Sequence, residues 1–83
     1  MKGTEFKTIR EELGLTQEQL SEVLCLAGKK VISNIERGSR NPSLLTEVLM
    51  RLLSRLSEKK SKELQRALVS LRQEIVDSSG GRK

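Results

Sequence analysis

Residues 15–38 read LTQEQLSEVLCLAGKKVISNIERG and hold two short helical patterns separated by a turn. In the first pattern, Thr16 and Gln19 have the spacing of a capping box, in which each side chain bonds the other residue's backbone amide. In the second, apolar and polar residues separate onto opposite sides at ~100° per residue. The apolar side holds Val31, Ile32 and Ile35, and the polar side holds Lys29, Lys30, Ser33, Asn34 and Arg37. Two helices of roughly nine residues around a tight turn predict a helix-turn-helix unit.

Further helical patterns flank this unit. On its N-terminal side, one face of a first helix is formed by Phe6, Ile9 and Leu13. On its C-terminal side, Asn41 as the cap and Pro42 in the first turn predict a fourth helix over about residues 42–56. That helix carries too many apolar residues for a single face. We therefore expect other helices to cover one side of it, and the C-terminal segment or a partner chain to cover the other.

The apolar stripe of the fourth helix loses its phase at the lysines that follow it and then restarts in coiled-coil spacing. The restarted stripe is Leu64, Leu68, Leu71 and Ile75. We place a turn near residues 57–61 and a fifth helix from there to about Asp77, with one continuous bent helix as the alternative. The stripe is predicted to mediate dimerisation, by itself or together with the fourth helix, and its alternative role is to cover the fourth helix within the chain.

These patterns predict an all-α fold of about five helices with an extended C-terminal helix. Residues 1–57 are expected to form the helix-turn-helix domain, and residues 58–77 a C-terminal helix for dimerisation or partner binding. Residues 78–83, SSGGRK, are expected to form a flexible tail.

Composition excludes most catalytic and metal-dependent functions. Among its 83 residues the chain has no His and a single Cys, Cys25, so neither a Ser–His or Cys–His pair nor a usual zinc ligand set can form. We therefore expect no catalytic residue, no metal site, no cofactor and no enzymatic activity. Cys25 is expected to be a small, half-buried apolar residue.

Charge and hydropathy favour an intracellular protein with a polyanionic partner. Residues 1–26 carry three Lys or Arg against five Glu, residues 27–57 carry six against two, and residues 58–83 carry seven against four. Net positive charge is therefore concentrated around and after the second helical pattern, as a polyanionic partner would favour, and ordinary solubility charge is the alternative explanation. Because no apolar run is long enough for a signal peptide or a membrane span, we expect a cytoplasmic location and no membrane partner.

The segments LGLTQEQLSEVL and VISNIERGSRNPSL resemble the phage-repressor and Cro class of regulators, the XRE family. The resemblance covers about residues 5–56, and its most specific parts are LTQEQL, ISNIERG and RNPS. It implies a lambda-repressor-like bundle that binds double-stranded DNA as a dimer, with the third helix in the major groove. The chain departs from the family pattern in a turn one residue longer and in Ser21, where the family usually has Ala.

The resemblance also implies roles for individual residues. The base-reading residues would be Lys29, Lys30, Ser33 and Asn34, whose donors and acceptors suit guanine and adenine edges. The phosphate contacts would be Thr16, Gln17, Arg37 and Arg40. Arg10 and Glu36 would form a structural ion pair between the first and third helices.

Three functions remain open at this level. The first is a dimeric, sequence-specific repressor that reads a palindromic operator with the third helix. A narrower variant is an antitoxin that represses its own operon and binds a toxin through the C-terminal helix. A module that binds only protein would present apolar anchors on the third helix, whereas this helix presents Lys, Ser, Asn and Arg there.

Overall fold

The computed structural model describes residues 1–80, with side chains described to residue 78. These residues form five α-helices and no strand, so the predicted all-α fold is confirmed. The helices are α1 (Gly3–Glu12), α2 (Gln17–Val23), α3 (Lys29–Glu36), α4 (Leu44–Arg55) and α5 (Glu58–Gly80). None of the helices in this part of the chain is long and apolar enough to cross a bilayer.

The capping box predicted for α2 is confirmed. The Thr16 hydroxyl accepts a hydrogen bond from the Gln19 amide at 3.0 Å, and the Gln19 side chain accepts one from the Thr16 amide at 2.9 Å. Leu20 follows at the first buried position of the helix and is fully enclosed. This local signal therefore fixes where α2 begins and which of its faces is buried.

The start predicted for α4 is wrong. Ser43, and not Asn41, is the N-cap, because its hydroxyl accepts from the Thr46 amide at 3.1 Å. Pro42 consequently precedes the helix instead of lying in its first turn. Both candidates are favourable cap residues, and the side chain that reaches the N3 amide determines the boundary.

α4 and α5 are separate helices, which excludes the continuous bent helix. Leu56 adopts an extended conformation with ψ 154°, and the Ser57 hydroxyl accepts from the Lys60 amide at 3.3 Å as α5 begins. α5 extends three residues beyond the predicted end at Asp77, so residues 78–80 are helical instead of belonging to a tail. The rest of the predicted tail, residues 81–83, lies outside the described residues.

The core lies where α1, α2, α3 and α4 meet. Its largest fully buried side chains are Phe6, Leu20, Ile32, Met50 and Leu53. α5 packs against α2 and α4 with a more polar contact, in which Ser61 and Gln65 are buried. The core of the four N-terminal helices is therefore largely built without the long helix.

α4 was predicted to be covered on two sides, but within the described residues other helices cover only one side. One side of α4 packs against α1 and α5. The other side is an apolar face with exposed fractions of 80, 68, 52 and 41%, at Leu44, Leu45, Val48 and Leu52 respectively. A contiguous apolar helix face of this kind is typical of an interaction site.

Polar contacts also fasten α1 to α4. The amino group of Met1 lies 3.2 Å from a carboxylate oxygen of Glu47, which also pairs with Arg51 in the next turn. The hydrogen bond from that amino group, assisted by Arg51, lowers the pKa of the Glu47 carboxyl. Glu47 therefore stays ionised at neutral pH beside both cationic groups.

The start of α1 touches the end of α3 at Gly3. A Cβ atom placed on Gly3 would lie 2.5 Å from the carbonyl oxygens of both Ile35 and Glu36. Backbone atoms cannot yield as the end of a flexible side chain can, so only glycine permits this approach. The contact helps to position the C-terminal end of α3.

Replacing Gly3 with alanine should therefore lower the free energy of unfolding by about 1–3 kcal/mol, the usual cost of overpacking. The measurement is chemical denaturation. Gly28→Ala is the matched control, because an added Cβ there meets no atom within 4 Å and the backbone is extended. Equal stability of the two variants would contradict the close packing of α1 on α3.

Candidate nucleic-acid interface

α3 separates apolar from polar side chains as its sequence predicted. Ile32 and Ile35 are buried, and Val31 is half-buried against the same core. On the opposite side, Lys29 and Lys30 are exposed at the N-terminal end of the helix. The remaining predicted base-reading residues, Ser33 and Asn34, are half-buried. The four predicted readers thus lie on the outer part of one short helix.

A buried polar cluster holds α3 in place. The Arg10 Nε atom lies 2.6 Å from one carboxylate oxygen of Glu36, and a second guanidinium nitrogen lies 3.3 Å from the other. Their side chains are only 13% and 6% exposed, and Arg10 also donates to the carbonyl oxygen of Leu15 at 2.8 Å. The ion pair therefore joins α1, the loop before α2 and the end of α3 in one network.

Gln17 belongs to the same cluster. Its side-chain amide donates a hydrogen bond to Glu36 at 3.0 Å, so one of its two donor hydrogens is used within the protein. The family resemblance predicts Gln17 as a phosphate contact, but it does not indicate this hydrogen bond to Glu36. Because the Glu36 carboxylate accepts hydrogen bonds from both Arg10 and Gln17, it holds α1 and the start of α2 in place relative to α3.

Asn34 and Arg37 are linked directly. A guanidinium nitrogen of Arg37 donates to the Asn34 side-chain oxygen. The predicted base reader and the predicted phosphate contact therefore form a pair in the free protein. The spacing of three residues on a helix makes such contacts common, but the sequence alone does not indicate that these two side chains pair.

The other predicted phosphate contacts lie on both sides of α3. Thr16 uses its hydroxyl oxygen to accept from the Gln19 amide, and its own hydrogen remains available to donate. Together with Gln17 and Lys29 it lines an open cavity of about 520 Å³ between α2 and α3. Arg40 is exposed in the segment between α3 and α4. The structure thus brings Lys29 close to Thr16 and Gln17, and it places Arg40 after the helix.

The turn between α2 and α3 accommodates its extra residue through Cys25. The amide of Cys25 donates to the Glu22 carbonyl oxygen at 3.2 Å, and that of Leu26 donates to Ser21 at 2.8 Å, which is a Schellman motif. Cys25 has φ +57°, the left-handed conformation that glycine usually supplies. The prediction that Cys25 is half-buried is wrong, because this conformation leaves Cys25 exposed and turns Leu26 towards the core.

The predicted dimerisation stripe on α5 has two different halves. Its N-terminal members, Leu64 and Leu68, are half-buried by the domain. Its C-terminal members, Leu71 and Ile75, are 56% and 61% exposed. Within this stripe, Leu71 and Ile75 are therefore more than half exposed and accessible to another molecule, whereas Leu64 and Leu68 are not.

A family model described as helix-turn-helix matches residues 6–59, which is more than half of the chain. The matched region begins within α1, includes α2 to α4, and ends just inside α5. Neither a curated protein nor a solved structure matches the chain significantly. The chain therefore belongs to the XRE family of helix-turn-helix domains, and it is a DNA-binding regulator with a lambda-repressor-like helical bundle.

Proposed function

We propose that the protein is a dimeric repressor that reads a palindromic operator through the outer face of α3. The observation that carries the proposal is the arrangement of Lys29, Lys30, Ser33 and Asn34 on one side of a helix whose other side is anchored in the core. Such a helix can enter the major groove without unfolding any part of the domain.

The side chains of this face suit base recognition. The ammonium groups of Lys29 and Lys30 can donate to the O6 and N7 acceptors of guanine, and Asn34 can pair with both N6 and N7 of adenine. In the free protein, the side-chain oxygen of Asn34 accepts a hydrogen bond from the Arg37 guanidinium. When Asn34 meets adenine, Arg37 is released to bind a neighbouring phosphate. The pair thereby couples base reading to backbone contact.

Contacts to phosphates would flank the reading helix. Thr16 and Gln17 stand at the start of α2, and Arg40 follows α3. Each cation that neutralises a phosphate releases counterions, so the affinity should fall steeply with salt. Phosphate contacts position the protein on the duplex but do not discriminate between sequences.

The apolar face of α4 provides the surface for dimerisation in this proposal. Leu44, Leu45, Val48 and Leu52 lie on one side of a helix that follows the reading helix directly. Covering them with the same face of a second chain would remove their apolar area from water. Two-fold symmetry would then present two copies of α3 to half-sites about one helical turn apart. The exposed Leu71 and Ile75 of α5 are the second candidate surface.

Substitutions in the reading face test the proposal. Lys30→Ala and Asn34→Ala should each lose about 1–3 kcal/mol of binding free energy, and each should relax discrimination at one defined base pair. The measurement is the affinity for the preferred site and for all of its single-base variants. Lys59→Ala, an exposed lysine on α5, is the control and should leave base preference unchanged. Unaltered preference in Lys30→Ala and Asn34→Ala would refute the assignment of these residues as readers.

A further inference from the structure

Charge is distributed unevenly along α5. Residues 58–66 carry four Lys or Arg against two Glu, whereas residues 67–80 carry one Arg against one Glu and one Asp. The first part of the helix is therefore net positive and the second part net negative. Most of the basic part lies beyond residues 6–59, the region that the helix-turn-helix family matches. A polyanion that already binds the helix-turn-helix domain would be attracted to this end of α5.

Two of the basic side chains share one side of α5. At ~100° per residue, Lys62 and Arg66 lie about 40° apart around the helix. The buried residues Ser61 and Gln65 mark the side that faces the domain, and the stripe of Leu64, Leu68, Leu71 and Ile75 lies on the flank opposite the two cations. Both Lys62 and Arg66 are exposed. α5 thus separates an apolar flank from a basic one.

The basic flank lies beside the start of α2. Lys62 lines a small cavity together with Gly14, and Arg66 lines a larger groove together with Leu15. Gly14 and Leu15 directly precede residues 16–17, the predicted phosphate contacts at the start of α2. The basic flank of α5 is therefore adjacent to the surface that is expected to meet the DNA backbone.

Neither cation has a strong partner among the described residues. Lys62 lies 4.0 Å from Glu58, but the two side chains are 57% and 79% exposed, so water screens their attraction. Arg66 forms no ion pair within residues 1–78. Glu12 lines the cavity of Lys62 and Glu22 lines the groove of Arg66, and neither pairs with the cation beside it in that part of the chain. Both cations can therefore turn to an approaching phosphate without breaking a buried contact.

We propose that Lys62 and Arg66 bind the DNA backbone next to the phosphates contacted by the start of α2. The inference rests on the proposed reading of DNA by α3, and it adds a contact made by the C-terminal helix. The two cation types suit phosphate in different ways, since guanidinium can bind two oxygens in a fork and ammonium acts as a point charge. Such contacts add affinity and fix the register of the protein, but they do not discriminate between bases.

The position of these contacts on the operator follows from the order of the elements. Arg40 and the apolar face of α4 follow α3, whereas the start of α2 and the basic flank of α5 lie on the other side of α3. In a dimer formed through α4, the segment around Arg40 faces the two-fold axis. Lys62 and Arg66 would then contact phosphates at the outer ends of the operator, beyond the base pairs that α3 reads.

The test is the salt dependence of DNA binding by the full chain. Lys62→Gln and Arg66→Gln should each reduce the slope of log affinity against log salt by about 1 for each bound chain, because one fewer phosphate is neutralised. From about 50 to about 200 mM salt, the affinity of the wild type should therefore fall about 3-fold more, per chain, than that of either variant. Lys60→Gln removes the same charge from an exposed position on the outward side of α5, and it should leave the slope almost unchanged.

Duplex length distinguishes a flanking contact from a general effect of charge. The double variant Lys62→Gln/Arg66→Gln should bind more weakly than the wild type to a duplex that extends well beyond the preferred site. On a duplex that ends at the last base pair of each half-site, the two proteins should bind equally. Slopes of Lys62→Gln and Arg66→Gln equal to that of Lys60→Gln, or a weakening that persists on the truncated duplex, would overturn the proposal.

This proposal and base reading by α3 can fail separately. Lys30→Ala and Asn34→Ala test reading through base preference, whereas the α5 variants should retain the base preference of the wild type. The salt slopes can be measured on any duplex, so they do not require an enriched operator sequence. Reduced slopes with an unaltered preference in Lys30→Ala and Asn34→Ala would refute reading by α3 and support the α5 contact. The opposite pair of results would refute the α5 contact alone.

Discussion

Glu36→Ala is expected to lower the free energy of unfolding by about 3 kcal/mol, the largest effect of any polar substitution in the domain. Removal of this carboxylate leaves the guanidinium of Arg10, which is 13% exposed, without its charged partner, and it also removes the acceptor of the Gln17 amide. Breaking a buried ion pair from one side costs this much because the remaining charge stays desolvated. Chemical denaturation followed by circular dichroism measures the loss.

A surface ion pair provides the control for this prediction. Glu5 lies 3.4 Å from Arg51, and the side chains of Arg51 and Glu5 are 40% and 45% exposed, far more than those of Arg10 and Glu36. Glu5→Ala should therefore cost no more than about 1 kcal/mol. If Glu36→Ala were as mild as Glu5→Ala, the cluster would not be what holds α3 against α1, and the reading face would need another support.

Val48→Glu is expected to convert the proposed dimer into monomers and to weaken operator binding by about 10²–10⁴-fold. Val48 lies among Leu44, Leu45 and Leu52 on the apolar face of α4, where a second copy would bury it. Each added carboxylate would be desolvated at a two-fold interface and would face its equivalent. The loss of affinity follows because a monomer binds one half-site without the gain from simultaneous engagement of the second.

Sedimentation equilibrium and operator titration measure these two effects. The monomer should remain folded, because Val48 is 52% exposed and glutamate is a good helix former. Leu71→Glu is the matched variant on α5 and should leave the dimer intact. A dimeric Val48→Glu protein, or dissociation caused only by Leu71→Glu, would contradict the assignment of α4 as the interface. A wild-type monomer would instead leave the α4 face free to bind another protein.

Much of the fold could be predicted because its signals are local. The Thr16–Gln19 capping box, the buried isoleucines of α3 and the break before α5 each depend on a few neighbouring residues. The sequence does not decide between Ser43 and Asn41 as the cap of α4, because two favourable candidates lie two residues apart and only the formed hydrogen bond distinguishes them.

The site was less predictable, because its contacts depend on tertiary packing. Arg10 and Glu36 were paired from the family resemblance, but the bond from Gln17 to Glu36 depends on how α2 meets α3. The left-handed conformation of Cys25 gave no sequence signal either, since glycine or asparagine is the usual residue for it. The extent to which α5 buries Leu64 and exposes Leu71 follows from its angle to α2 and α4, which periodicity does not encode.

The most direct test of the central claim is a selection from random duplex DNA with the full chain, followed by sequencing of the bound pool. If α3 reads bases and the protein is a two-fold dimer, a palindromic motif should enrich, with half-sites about 10 base pairs apart. Its affinity should fall steeply as salt is raised. A bound pool with no enriched motif would contradict the account, because the exposed face of α3 would then not recognise sequence.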